Sequence, residues 1–337
     1  MESLEQSSIY DLEIDRVIEE VKSRKSKRVL LQFPDGLIKY CVRIAKRIKE
    51  QTRAETIISL DTCYGACDLA VNAASRLNAD LLIHYGHGPW PAKTSVPTIY
   101  VEAFATLDVR TMLPKIVELL GDSRRIGVLS TIQHIRELPK VREYLESRGL
   151  KVVVGKATGK VSCDGQILGC DYSTAKSISS RVERLVLIGG GKFHAIGLAL
   201  ATRKDSVVID LFSNEVYTTG ELLRRVLRSR YASVMAARSA TVFGVVLGTK
   251  FGQFDLQRAD GVRRELERKG KETILLCVDN LIPDRLESLA EVDAFVITAC
   301  PRIAIDEAEH FKRPVLTPEE VQLVFSDELL ERYLSLG

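Results

Sequence analysis

Residues 125–154, RIGVLSTIQHIRELPKVREYLESRGLKVVV, decide the fold. The apolar run at 125–130 reads as a strand. Leu138, Val141 and Leu145 then recur at helical spacing, and Gly149 stands where a helix can end. A second apolar run follows at 151–154. A strand, a helix and a strand in that order imply parallel pairing through a right-handed crossover. The same phrase returns further on, with a strand at 241–247, helix positions Leu256, Ala259, Val262 and Leu266, a stop at Gly270 and a strand at 272–277. The endings ESRG (146–149) and ERKG (267–270) make coincidence a poor explanation.

Outward from these two copies, a third precedes them. It has a strand at 28–33, a helix with Leu37, Cys41, Ile44, Ala45 and Ile48 on one face, and strands at 56–60, 80–85 and 98–101. The second copy continues with strands at 184–188 and 206–211, and the last with 293–298 and 313–316. The expectation is an α/β protein with an internal triplication: three similar small parallel-sheet domains at 1–120, 121–230 and 231–337, arranged around a central cluster site. One continuous doubly wound sheet is the plainer alternative.

Across 337 residues, 48 basic and 45 acidic side chains leave a formal net charge of +3, too balanced to argue for direct nucleic-acid binding. No apolar run approaches the roughly 20 residues that span a bilayer, so no membrane partner is expected. The N-terminal residues 1–15 are polar and acidic, unlike a signal peptide. Seven cysteines, an odd number in a long chain, point to a reducing compartment, here the cytoplasm, where surplus thiols bind metal, react or lie buried.

In parallel sheets, ligands gather at the carboxyl ends of strands. Cys63 and Cys67 fall there in DTCYGACD (61–68), Cys163 and Cys170 in VSCDGQILGCD (161–171), and Cys300 in TACPR (298–302). Cys41, on an apolar helix face, and Cys277, inside an apolar strand run, read as buried small hydrophobes. Each domain therefore offers a thiol at its ligand end. Three thiolates would hold three irons of a 4Fe-4S cluster and leave the fourth open, whereas a structural site closes with four ligands. Zinc is the competing metal, but no pair of CxxC motifs is present. A conventional radical S-adenosylmethionine (SAM) motif would need a third cysteine at position 70, which is Ala70.

Together QFPDGL (32–37), DTCYGACD (61–68), GQILGC (165–170) and TACPRIAID (298–306) resemble the archaeal diphthamide biosynthesis enzymes, an atypical radical SAM family, along nearly the whole chain. The resemblance implies three similar α/β domains, a homodimer, and a 4Fe-4S cluster on Cys67, Cys170 and Cys300, with Cys63 and Cys163 as nearby extras. It also implies transfer of the 3-amino-3-carboxypropyl group of the co-substrate SAM to C2 of one histidine imidazole in translation elongation factor 2. That is the activity of a 2-(3-amino-3-carboxypropyl)histidine synthase, and it needs an electron donor whose identity the sequence does not carry.

Around those cysteines, Arg302 is placed to clamp the SAM carboxylate. Gly189 and Gly190, Gly248 and Gly252 with Gln253, and Tyr64 with Asp35 and Gly36 follow strands where a backbone approaches a ligand. His84 and His87 lie in HYGHGPW (84–90), and His87 is the candidate base for rearomatising the substrate ring. Three other functions compete: a quinolinate-synthase-like 4Fe-4S dehydratase without SAM, a noncatalytic electron-delivery partner, and a zinc-stabilised or metal-free binding module.

Overall fold

The computed structural model describes residues 8–334. The first seven residues of the polar N-terminal stretch, and the last three of the chain, lie outside it. Among the described residues, fifteen strands run in chain order. β1 (Tyr10–Asp11) pairs antiparallel with β6 (Phe104–Ala105), a small ribbon the apolar pattern does not announce. The other strands form three separate sheets, which excludes one continuous sheet.

The first sheet holds β2 (Arg28–Gln32), β3 (Glu55–Ile58), β4 (Leu81–Tyr85) and β5 (Thr98–Val101) in the order β3-β2-β4-β5, all parallel. The second holds β7 (Arg125–Ser130), β8 (Lys151–Val153), β9 (Arg184–Ile188), β10 (Ser206–Asp210) and β11 (Glu215–Thr218). Read from its far edge, its order is β8-β7-β9-β10-β11, and β7 pairs parallel with both neighbours. The third holds β12 (Val242–Gly248), β13 (Glu272–Val278), β14 (Ala294–Ile297) and β15 (Val315–Leu316), again parallel, in the order β13-β12-β14-β15. The first four strands of each sheet thus run second, first, third, fourth, and β11 adds a fifth to the second sheet.

Local chemistry repeats with the topology. A carboxylate just before the third strand of each sheet accepts from the backbone that starts the first. Asp80 takes Lys27 N–H (2.7 Å), Glu183 takes Arg124 N–H (2.5 Å) and Asp293 takes Thr241 N–H (2.8 Å). These backbone donors hold the Glu183 and Asp293 carboxyls below their ordinary range. The two helix endings read from the sequence also match. Leu150 N–H returns to Leu145 O (3.2 Å) and Lys271 N–H to Leu266 O (3.1 Å), around Gly149 and Gly270 at φ +80° and +74°.

By contacts the chain divides into two compact units, the first 1–190 with 207–217 and the second 191–206 with 218–337. In the first unit, Val29, Leu31 and Ile83 of one sheet bury Ile44 and Ile48 of the helix Cys41–Thr52. Val128, Val186 and Ile188 of the other bury Val141 and Leu145 of the helix Leu138–Ser147. In the second unit β12 is covered on both faces. Val245 and Leu247 meet Ala259, Val262 and Leu266 of the helix Leu256–Arg268, while Val246 faces Phe295, Ile297 and Phe311. Each fully buried aliphatic side chain contributes about 1.5–3 kcal/mol. Among the described residues no helix is long and apolar enough to cross a membrane.

One burial expectation fails. Cys277 is exposed, because β13 is the edge strand of its sheet and Ile274, Leu275 and Cys277 all reach solvent. An apolar run read along the chain does not reveal that nothing covers one side. Cys41 is buried as expected.

Candidate functional site

Cys67 stands in the loop after β3, half-buried. The loop closes on itself through Asp68 N–H to Gly65 O (2.9 Å) and Tyr64 N–H to Asp68 Oδ2 (3.4 Å). It is tied to the sheet by Gln32, the last residue of β2 and only 2% exposed. Gln32 Nε2 donates to Asp68 O (2.7 Å), and its Oε1 accepts from Ala70 N–H (3.1 Å). That orientation leaves Oε1 facing His84 Nδ1 at 2.8 Å, so Nδ1 carries the proton and His84 Nε2 presents a lone pair. His84, at the end of β4, is wholly buried, and burial holds it well below its ordinary pKa, with His87 adding to the shift. Its Nε2 lies 3.0 Å from His87 Nδ1. Buried Cys63 joins them: one ligand atom from each of Cys63, His84 and His87 lies within 4.8 Å of the others.

Cys170 is exposed in the loop between β8 and the helix Ser173–Ser179. Leu168 and Asp171 exchange backbone bonds (2.9 and 3.2 Å) and turn the chain at Gly169-Cys170. Asp171 fixes the turn by accepting from Lys160 N–H (2.6 Å) and Ser173 N–H (2.8 Å). Surrounding protein pushes the Cys170 thiol up even though part of its surface is open. A second buried glutamine repeats the role of the first. Gln166 Oε1 accepts from Ser162 N–H (2.9 Å) and Cys163 N–H (3.1 Å) and so holds half-buried Cys163.

Within the first unit the Cys170 loop reaches the loop that follows β4 and carries His87. Lys160 Nζ sits 5.0 Å from the centre of the Trp90 ring. Gly88 approaches Ser162 so closely that a Cβ there would lie 3.4 Å from its Oγ.

Cys300, half-buried, is the residue before the short helix Pro301–Asp306, and Ile303 N–H returns to its carbonyl at 3.2 Å. Thr298 secures the strand end by donating its N–H (2.9 Å) and Oγ1 (3.0 Å) to Val246 O. Gly248 lies against Ala299, with a Cβ at Gly248 falling 2.7 Å from the Ala299 Cβ. From the far side Arg230 Nη1 donates to Ala304 O (2.5 Å).

The remaining expected residues are placed as follows. Arg302 is half-exposed, pairs with Asp306 (3.3 Å) and sits 5.5 Å from the Phe193 ring centre. Gln253 lies beside Gly248 and donates its N–H to Lys250 O (3.0 Å). Gly189 and Gly190 leave room for Thr131 and Phe212, which a Cβ would meet at 2.9 and 2.8 Å. Tyr64 is 61% exposed.

Gln32 and Gln166 are site residues that the sequence expectations do not include. Both stood inside quoted motifs, and a glutamine closing the apolar run VLLQ was the available signal.

The family model described as "Putative diphthamide synthesis protein" matches residues 33–334. The 2-(3-amino-3-carboxypropyl)histidine synthase of Pyrococcus horikoshii is 36% identical over 326 residues, covering 96% of this chain and 93% of that one. The human 2-(3-amino-3-carboxypropyl)histidine synthase subunit 1 is 30% identical over 95% of this chain and 73% of its own length. The crystal structure of Dph2 from Pyrococcus horikoshii with a 4Fe-4S cluster superposes with a TM-score of 0.88 at 35% identity, covering 95% of this chain and 93% of that chain. With its fold and almost its full length matched, this chain belongs to the diphthamide synthesis protein family.

Proposed function

We propose that this chain is a 2-(3-amino-3-carboxypropyl)histidine synthase that carries out the first step of diphthamide biosynthesis. It transfers the 3-amino-3-carboxypropyl group of SAM to C2 of a histidine imidazole, with Cys67, Cys170 and Cys300 as ligands of a 4Fe-4S cluster. The observation that carries the reading is full-length likeness to an enzyme of that name and to a cluster-bearing crystal structure. The protein substrate is translation elongation factor 2, the compartment is the cytoplasm, and an external donor supplies electrons.

The donor set fits an iron–sulfur cluster. All three residues are cysteines, none is sealed in a core, and each lies in the segment that follows a strand of its own sheet. When bound, the reduced cluster supplies one electron to the SAM sulfonium. The transfer balances as one bond from sulfur to Cγ broken, one bond from Cγ to imidazole C2 formed, and the C2 proton released. The electron returns as the ring regains aromaticity, and methylthioadenosine leaves. The chain's own part is position: Gln32 fixes the Cys67 loop, Asp171 the Cys170 turn, Thr298 the strand end before Cys300 and Arg230 the helix after it. Arg302 stands two residues beyond Cys300 to take the SAM carboxylate, exchanging its Asp306 partner for the ligand. Gly189, Gly190, Gln253 and Tyr64 complete the SAM contacts.

The recurring strand order and the recurring carboxylate support three repeated domains at 1–120, 121–230 and 231–337. A homodimer accords with the apolar side chains Ile274 and Leu275, which edge strand β13 leaves exposed.

The test is anaerobic incubation of dithionite-reduced protein with SAM and archaeal elongation factor 2. A mass gain of one aminocarboxypropyl group on one histidine is expected, together with methylthioadenosine. No gain with SAM intact overturns the reading.

A further inference from the structure

The geometry points to a second metal site in this chain, in which Cys63 Sγ, His84 Nε2 and His87 Nδ1 hold a divalent transition-metal ion of the zinc class, separate from the cluster cysteines. It rests on side chains of the first unit and not on the transferase reading.

Three features argue for a ligand set. First, the donor atoms already cluster within 4.8 Å, and the two imidazole nitrogens stand 3.0 Å apart. Ligands on a tetrahedral zinc lie roughly 3.3–3.6 Å from one another, as bonds of about 2.0 Å to nitrogen and about 2.3 Å to sulfur require. Small side-chain rotations bridge that difference. Second, the tautomer of His84 is fixed from behind. Gln32 Oε1 can only accept from Nδ1, because its amide is pinned by Asp68 O and Ala70 N–H, so Nε2 is the basic nitrogen. A carbonyl oxygen behind a ligating histidine is the usual outer partner of a metal-bound imidazole. Third, thiolate plus two imidazoles is a donor set that selects zinc over hard cations, and with three protein ligands it leaves one position open.

Such an ion would have a structural consequence. Cys63 lies four residues before Cys67 in the same loop, while His84 lies within the last two residues of β4 and His87 follows the strand. The metal would therefore staple the loop that carries Cys67 to the strand beside it, alongside the Gln32 hydrogen bonds. Ligation through Nδ1 also places the remaining ring proton of His87 on Nε2. His87 is then a ligand and not the base that the sequence suggested.

The experiment uses the anaerobically purified, cluster-loaded full chain, equilibrated with zinc and freed of excess by dialysis. Zinc and iron are counted by elemental analysis, and the zinc edge is read by X-ray absorption, which the iron does not obscure. About one zinc per chain, with about one sulfur and two nitrogen neighbours, is expected. Cys63→Ala and His87→Ala should each abolish stoichiometric zinc while iron content stays at the level of the unaltered protein. Cys67→Ala should lose iron and keep zinc. The site is refuted by the absence of stoichiometric zinc, by zinc that survives both substitutions, or by a sulfur-rich zinc environment. It is refuted equally if Cys63→Ala strips the iron, since Cys63 would then belong to the cluster. Circular dichroism of each variant separates metal loss from unfolding. Should either alanine variant unfold, Cys63→Ser and His87→Gln carry the same readouts.

Discussion

One buried amide joins a cysteine loop to a strand in the first sheet. Gln32 satisfies Asp68 O, Ala70 N–H and His84 Nδ1–H at once and is itself buried. Gln32→Met fills similar space but strands those groups, at about 1–3 kcal/mol for each group left unpaired in the interior. Thermal melts should show the loss of stability, and reconstituted protein should hold less iron because the Cys67 loop is released. An unchanged iron content in a folded Gln32→Met protein would contradict the positioning role. A second residue-scale expectation concerns acid. Burial lowers His134 to about pKa 4, against the opposing pull of Asp210 and Glu137, and its ring packs 4.9 Å from that of Phe212. Unfolded, the same imidazole takes a proton near pH 6.5. Between those values the unfolded chain binds more protons, so stability is full above about pH 6.5 and falls as the pH drops toward 4, by up to about 3 kcal/mol. His134→Leu should flatten that limb in denaturant titrations across the range. What the sequence carried at this scale was residue type and strand end. It marked Cys67, Cys170 and Cys300 with His84 and His87, yet not the two glutamines: the partners of Gln32 lie 36 to 52 positions away, and those of Gln166 include backbone groups of a loop whose path the sequence does not show. Nor did it show that His87 touches His84, a contact set by the turn between them.

At the scale of elements, the pattern of apolar runs located every strand of the first sheet to within a few residues, because parallel strands covered on both faces need unbroken hydrophobic stretches. It missed β11, whose run EVYT is short and mixed, and it misjudged Cys277 because edge and centre strands look alike along one chain. It also read one helix through 37–48, whereas the first turn is a 3-10 helix at Asp35–Tyr40 that hands over to the helix at Cys41–Thr52. Long loops are where the sequence said least, and the Cys170 loop shows why. Its path is set by crossing bonds, with Gly165 N–H donating to Gly155 O and Ser130 N–H donating to Gly165 O, both at 2.8 Å. Gly165 adopts φ +74°, and a Cβ there would strike Leu138 Cδ1 at 2.5 Å and Val154 Cγ1 at 2.9 Å. Gly165→Ala therefore combines a disfavoured backbone with overpacking, each costing on the order of 1–3 kcal/mol. Chemical denaturation should register the loss, and limited proteolysis should find new cuts within 155–172. A variant as stable as the parent would show that the loop has another way to close.

At the scale of the molecule, each compact unit carries its own core, and the second is organised around one buried cation. Arg230 is fully buried on the helix Gly220–Ala237 and donates to Glu320 Oε1 (2.8 Å) and Oε2 (2.6 Å), Val315 O (2.6 Å) and Ala304 O (2.5 Å). Those partners lie on the last strand of the third sheet, on the turn after it and on the helix that follows Cys300. One guanidinium thus fixes elements that are 74 to 90 positions away in sequence. Removing only the cation leaves the Glu320 carboxylate buried without its partner, a change that costs about 3–5 kcal/mol, whereas replacing both members by apolar groups of similar size is often neutral. Arg230→Met should therefore lower the unfolding midpoint strongly. Hydrogen exchange should show lost protection concentrated in 218–334, with the first unit's strands β2, β4 and β7 little changed. Arg230→Met combined with Glu320→Leu should recover much of the midpoint but not the anchoring of Ala304, and so should regain stability ahead of iron content. If the double variant restored both equally, Arg230 would serve stability alone, and the placement of Cys300 would have to come from Thr298 and the strand pairing of β14.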